Sequence, residues 1–317
     1  MYVCTVVHLG TYNQVFEVLL DTNSDISWVP SAETTERAFR RKTQYKKGIS
    51  SAYSAHPQPL LIDDDFQSVN GDIVFDRFQI ADVCMDEFKF GIVTKARVNP
   101  NLPNGVDGVL GLSRKVTLDQ FGRTLLESMQ ADLESEEKIF GITLCPNDNP
   151  ELATGHMTFG GLCGDCHKSE FSDFRLTTPE RWCMDFESLR IGVKLLHGGS
   201  MTACMDIRQA FIRGPSQLTD AINQQLLGGQ YVEGVYQVPC SKRDSYPPVT
   251  FVSGRYRLTL TWRQYIIKRK ENRCFSVFRG SRENGMNWRF GLPVHRYFYV
   301  MYDHGRALVR FADAICS

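Results

Sequence analysis

Val15-Phe16-Glu17-Val18-Leu19-Leu20-Asp21-Thr22-Asn23-Ser24-Asp25-Ile26-Ser27-Trp28-Val29-Pro30-Ser31 sets two apolar runs, Val15 to Leu20 and Ile26 to Pro30, on either side of a polar knot running from Asp21 to Asp25. This is the pattern of a buried strand that delivers a carboxylate to a tight turn and leaves again as a strand. A carboxylate carried on an apolar run is costly to desolvate, so its presence there points to use. The second half repeats the plan over Thr202-Ala203-Cys204-Met205-Asp206-Ile207-Arg208-Gln209-Ala210-Phe211-Ile212-Arg213-Gly214-Pro215-Ser216. Two Asp-bearing turns, one per half, predict a duplicated fold with a site between the halves.

The chain has 317 residues, enough for two domains with ample cores. Lys and Arg total 36 and Asp and Glu total 36, so no net field draws nucleic acid or an anionic membrane, and neither is expected as a partner. The basic runs at Arg37, Arg40, Arg41, Lys42, Lys46 and Lys47 and at Lys268, Arg269, Lys270 and Arg273 read as solvated loop faces. No apolar run reaches the length of a membrane-spanning helix, and Met1 to Cys4 reads as a strand start with no signal-peptide pattern.

Ten cysteines fit an oxidising compartment. Cys163 and Cys166 have the spacing of half a zinc site, but no second such pair or paired His accompanies them, so a disulfide or free thiols are expected and no metal. No phosphate-cradling glycine pattern, no HExxH and no His placed to serve Ser24 appears, so no cofactor is expected and serine catalysis has no support. Along the chain, periodicity predicts a hairpin turning at Gly10 to Asn13 and a buried strand at Val106 to Leu112. It also predicts an amphipathic helix over Leu118 to Leu133 and a helix over Gln217 to Leu227.

These segments resemble the pepsin-like aspartic peptidases, which carry one Asp-Thr-Gly-Ser/Thr turn per lobe. Trp28 lies seven residues past Asp21, where that family has its Trp. Ser50-Ser51-Ala52-Tyr53 resembles its Ser-Ser-Thr-Phe/Tyr box, and Val106-Asp107-Gly108-Val109-Leu110-Gly111-Leu112 resembles its Asp-Gly-Ile-Leu-Gly-Leu box. Met157 to Gly161 and Trp288 to Asp303 are similar to later family segments, and the region from Gly160 to Cys166 looks most like nematode members.

The resemblance implies a mostly β, bilobal fold of two six-stranded-barrel-like lobes with a cleft between them, residues 1–168 carrying the first Asp turn and the flap, a hairpin over Leu60 to Phe75, and residues 169–317 the second turn. It implies Asp21 and Asp206 as the catalytic pair sharing one proton, with Thr22, Ser24 and Trp28 in support. It places Asn23, Asp64, Phe66 and Arg208 against a peptide or protein ligand in the cleft and pairs Cys240 with Cys274. The other eight cysteines stay open. A monomer, secreted or lysosomal, is implied, and because the family's signal, pro-segment and first strand precede the point where Met1 stands, the chain reads as a truncated product.

Departures from the family pattern carry the functional expectation. Asn23 replaces a Gly, which Asn tolerates in left-handed backbone at modest cost. In the second turn Ile207, Arg208 and Gln209 replace Thr, Gly and Ser/Thr, and a fixed cation beside Asp206 favours its ionised form and opposes a shared proton. The flap reads Asp64-Asp65-Phe66-Gln67 where the family has Tyr-Gly-Thr-Gly, and Gly291-Leu292 replaces Gly-Asp. The leading expectation is an aspartic endopeptidase domain that is catalytically impaired and binds peptide. An active acid endopeptidase is the alternative, and a non-catalytic, cysteine-stabilised binding or inhibitory protein is the third.

Overall fold

Alternation in the strands Cys4–Leu9 and Gln14–Asp21 turns one face of each inward, leaving Val7, Leu9, Phe16, Val18 and Leu20 at most 2 % exposed. The computed structural model describes residues 2–63, 67–98, 102–115, 121–132, 138–146, 153–269, 273–281 and 287–316. The chain divides into two compact units, Tyr2–Glu136 and Glu137–Ser317.

In the first unit six strands close on themselves in the order Cys4–Leu9, Gln14–Asp21, Gly108–Gly111, Trp28–Pro30, Val83–Val98 and Ser68–Ile80. The ring shuts where His8 lies opposite Gln79 and Leu9 opposite Phe78. Closure leaves no open edge in the ring, which removes a template for unwanted pairing. Ser54–Asp63 adds to the outside as a hairpin with Ser68–Ile80, with Leu60 opposite Gly71 and Asp63 opposite Ser68. The predicted hairpin over Leu60 to Phe75 is therefore present; its tip, with the site candidates Asp64 and Phe66, lies outside the described residues.

The helix predicted from Leu118 is shorter where it is described, spanning Leu125–Asp132. Gly122 takes left-handed backbone at φ 71°, and Thr124 then starts the helix. The Thr124 N–H donates to Glu127 Oε2 at 2.9 Å and the Glu127 N–H donates to Thr124 Oγ1 at 3.3 Å, a reciprocal cap that satisfies two otherwise orphaned donors. Phe121, Leu125, Leu126 and Met129 are buried as the periodicity requires.

The second unit holds a seven-stranded sheet in the order Tyr256–Leu260, Val249–Ser253, Cys183–Ile191, Lys194–Met205, Asn287–Phe290, Ile212–Pro215, Phe278–Ser281, with a five-stranded and a four-stranded sheet besides. The strands Ile139–Pro146 and Ala153–Phe159, which precede residue 168, belong to the five-stranded sheet: the first pairs through Phe140 and its neighbours with Phe298–Asp303, and the second pairs with the first at the sheet's edge. The helix predicted over Gln217 to Leu227 is an α-turn, Ser216–Asp220, running into a π-helical stretch, Ala221–Leu226.

Three strands of each unit repeat one arrangement. Gln14–Asp21 runs parallel to Gly108–Gly111, whose other side takes Trp28 antiparallel. Lys194–Met205 likewise runs parallel to Asn287–Phe290, whose other side takes Ile212–Pro215 antiparallel. Leu20 faces Leu110 as Met205 faces Phe290, so Gly111 and Gly291, each the residue after that pair, occupy equivalent places.

Cys240 and Cys274 are bonded. Three further disulfides join Cys145 to Cys316, Cys163 to Cys166 and Cys183 to Cys204, while Cys4 and Cys84 are free thiols. Cys163 and Cys166 are spent on each other, which removes the zinc half-site reading.

Candidate active site

Each Asp turn is strapped by backbone to the strand that crosses behind it. In the first, the Leu112 N–H donates to the Asp21 carbonyl at 2.8 Å and the Ser113 N–H to the Ser24 carbonyl at 3.0 Å. A side chain on Gly111 would put a Cβ 2.8 Å from the Ser24 carbonyl oxygen, so only glycine lets the turn approach this closely. Asp21 and Thr22 are both 2 % exposed. The Asn23 N–H donates to Asp21 Oδ1 at 2.9 Å, an Asx turn that orients the carboxylate. Asn23 takes no left-handed backbone, so the Gly-to-Asn departure carries none of the strain expected of it: the Asx bond closes the turn without a positive φ.

The Ser24 hydroxyl donates to the Ile26 carbonyl at 3.1 Å and accepts the Ile26 N–H at 3.3 Å, bracing the turn itself. Trp28 is 1 % exposed, stacks edge-on to Phe39 at 6.2 Å, and keeps its Nε1 buried with no hydrogen-bond partner among the described residues.

In the second turn the Asp206 N–H donates to the Phe290 carbonyl at 2.9 Å, the Gln209 N–H to the Asp206 carbonyl at 3.0 Å, and the Leu292 N–H to the Gln209 carbonyl at 2.8 Å. A Cβ on Gly291 would run into the carbonyl oxygens of Gln209 and Phe211, the counterpart of the constraint at Gly111. Asp206 is 2 % exposed and Ile207 1 % exposed, so the residue that replaces a hydroxyl is a core side chain. Arg208 is half-buried, and the Gln209 side chain turns away to accept from Arg213 Nε at 3.1 Å.

A cation that stands against Asp206 is one that sequence reasoning did not single out. Arg289 Nη1 stands 3.8 Å from Asp206 Oδ2 as an ion pair, its side chain 34 % exposed against 2 % for the carboxylate. Arg289 faces Cys204 across the parallel ladder, the position Val109 holds opposite Leu19 in the first unit. That difference was in the sequence, but only a comparison of the two repeats residue by residue exposes it.

Two further buried polar groups lie in this unit. His295 and Tyr302 are both fully buried, with His295 Nε2 and the Tyr302 hydroxyl 2.7 Å apart. Burial pushes the His295 imidazole down to about 4. Burial, reinforced by the Asp206 charge, holds the Tyr302 phenol well above its ordinary range, so both groups are neutral at pH 7.

A duplicated, mostly β fold that buries one Asp at the tip of a strand-turn-strand in each unit defines an aspartic-peptidase class of protein. The chain belongs to the eukaryotic aspartyl protease family, which it matches over residues 1–314. It is 29 % identical over 278 residues to the vacuolar aspartic protease of Candida albicans, covering 86 % of this chain and 65 % of that protein. It is 27 % identical to cathepsin D of Chionodraco hamatus over 97 % of this chain and 80 % of the relative. It is 25 % identical to pregnancy-associated glycoprotein 6 of Ovis aries over 98 % of this chain and 80 % of the relative.

Proposed function

We propose that the chain is a pepsin-like aspartic endopeptidase domain in which hydrolysis is strongly impaired while peptide binding is kept. The observation that carries this is the ion pair from Arg289 to Asp206 at 3.8 Å. The family's chemistry needs two carboxylates with one proton between them, one acting as base on a water and the other as acid on the peptide carbonyl, the worked case of paired carboxylates with split acidities. A guanidinium keeps its charge at every working pH. At 3.8 Å its attraction for an ionised partner is about 4 kcal/mol at an effective dielectric of about 20, reduced here because Arg289 is a third exposed. That attraction favours an ionised Asp206 and works against the shared proton. Ile207 compounds it, since a buried aliphatic chain offers no hydroxyl to the carboxylates.

The second reading, an active acid endopeptidase, draws its support from the first turn, where Asp21 is buried and held by the Asn23 N–H. A vacuolar, lysosomal or secreted location fits the four disulfides and the vacuolar relative, with a single chain acting on peptide or protein.

Cleavage of a broad peptide library from about pH 3 to 7, with and without pepstatin, separates the two readings when run on the chain, on Asp21→Ala and on Arg289→Val. The impaired reading expects no pepstatin-sensitive cleavage from the chain and at least about a tenfold gain in Arg289→Val, which restores the residue type of Val109. Pepstatin-blocked cleavage by the unmodified chain, lost in Asp21→Ala and unchanged in Arg289→Val, establishes the active enzyme instead.

A further inference from the structure

Arg289 is one of a row. Ile212 lies opposite Phe290 on one side and Phe278 on the other, and the next register step sets Arg213 between Arg289 and Arg279. Ile212, Phe278 and Phe290 are all fully buried on one face of the sheet, so the three arginines share the opposite face, on three adjacent strands. Like charges directly across a ladder repel, and a sheet does not collect three of them without compensation.

The compensation is incomplete. Arg289 has Asp206. Arg213 donates from Nε to the neutral Gln209 side chain. Arg279, only 8 % exposed, donates from Nη1 to the Ser276 and Phe278 carbonyls at 2.9 Å each and lies over the Phe211 ring at 4.5 Å. Among the described residues its buried Nε and Nη2 have no hydrogen-bond partner, and neither Arg213 nor Arg279 forms an ion pair with a carboxylate. Burial and the Arg213 charge pull the Arg279 guanidinium down to about 10, which leaves it a cation at neutral and acidic pH. Unsatisfied donors on a buried cation are costly, and the group that would satisfy them is a planar anion matching the guanidinium fork.

We propose that the Arg213 and Arg279 pair is a binding site for a carboxylate, the Asp or Glu side chain of a bound peptide, on the face of the second unit that carries Asp206. The proposal rests on the peptide-binding reading and adds a charge preference to it. Arg289 is already paired with Asp206, so the uncompensated charge is that of Arg213 and Arg279, and Arg213, half-buried and bonded only to an amide, is the group that meets the ligand first.

The test begins without a peptide. With arginine side chains labelled in the full chain, N-acetylglutamate amide is expected to shift the Nε–H signals of Arg213 and Arg279 to saturation, and N-acetylglutamine amide to leave them in place. Arg213→Gln, which keeps a polar group at a half-buried position, is expected to weaken the glutamate response by roughly tenfold. Equal shifts from both compounds, no shift from either, or an unchanged response in Arg213→Gln overturns the proposal. A second arm uses peptides that differ only as Glu or Gln at one position. Tighter binding of the Glu peptide by about tenfold, abolished in Arg213→Gln, supports it, and equal binding overturns it. If no peptide binds while the glutamate compound still shifts Arg213 and Arg279, the carboxylate site stands and the peptide-binding reading falls.

Discussion

His295 shows how a single residue ties stability to pH in this chain. Its imidazole is fully buried against Tyr302 and pushed down to about 4 from an ordinary 6.5. A depressed His adds nothing to the pH dependence above 6.5, where folded and unfolded forms are both neutral. As pH falls below 6.5 the unfolded chain takes a proton that the folded chain refuses, so stability declines until about pH 4, by about 3 kcal/mol in all. Urea unfolding at pH 7, 5 and 4 is expected to show that much smaller an acid loss in His295→Gln, whose amide can still meet Tyr302; equal losses in the two proteins would remove this account. The same residue scale separates what the sequence displayed from what it hid. Asp21 and Asp206 are legible because an acid interrupting an apolar run stands out, whereas Arg289 is an arginine in a strand until the register sets it beside Asp206.

At the scale of elements, local chemistry decides boundaries that apolar periodicity leaves loose. The apolar spacing runs from Leu118 to Leu133, yet Gly122 in left-handed backbone and the reciprocal Thr124 and Glu127 cap set the start at Leu125. Thr124→Ala removes the acceptor for the Glu127 N–H and is expected to cost about 1 kcal/mol, read as a lower urea midpoint with an unchanged slope. The strand pairs that carry the Asp turns were easier to read, since alternation and β-branched content fix the faces. What alternation omits is which strands meet: the parallel pairing of Gln14–Asp21 with Gly108–Gly111 joins segments about ninety residues apart and has no local signal. The same gap explains why three of the four disulfides stayed open, because their partners are fixed by strand neighbours such as Cys183 opposite Cys204.

Across the whole molecule the cross-links are unevenly placed. All four disulfides lie within Glu137–Ser317, whereas the free thiols Cys4 and Cys84 lie in Tyr2–Glu136. Cys145 to Cys316 alone closes 171 residues, and constraining so long a loop in the unfolded chain contributes about 3–5 kcal/mol. Reduction is therefore expected to lower the stability of the second unit and leave the first, which limited proteolysis with mapped cleavage sites checks; early cleavage within residues 2–136 would contradict it. By itself the sequence determined the β class, the duplication, the two Asp turns and the family likeness, because period-two patterning and an acid in an apolar run are local properties of the chain. Only the tertiary structure decided which strands adjoin, and so which cation meets Asp206, which cysteines bond, and that Arg279, Arg213 and Arg289 form one row. The reason is physical: ladder register places residues far apart in sequence within a few ångström of one another, and charge interactions are set by that distance.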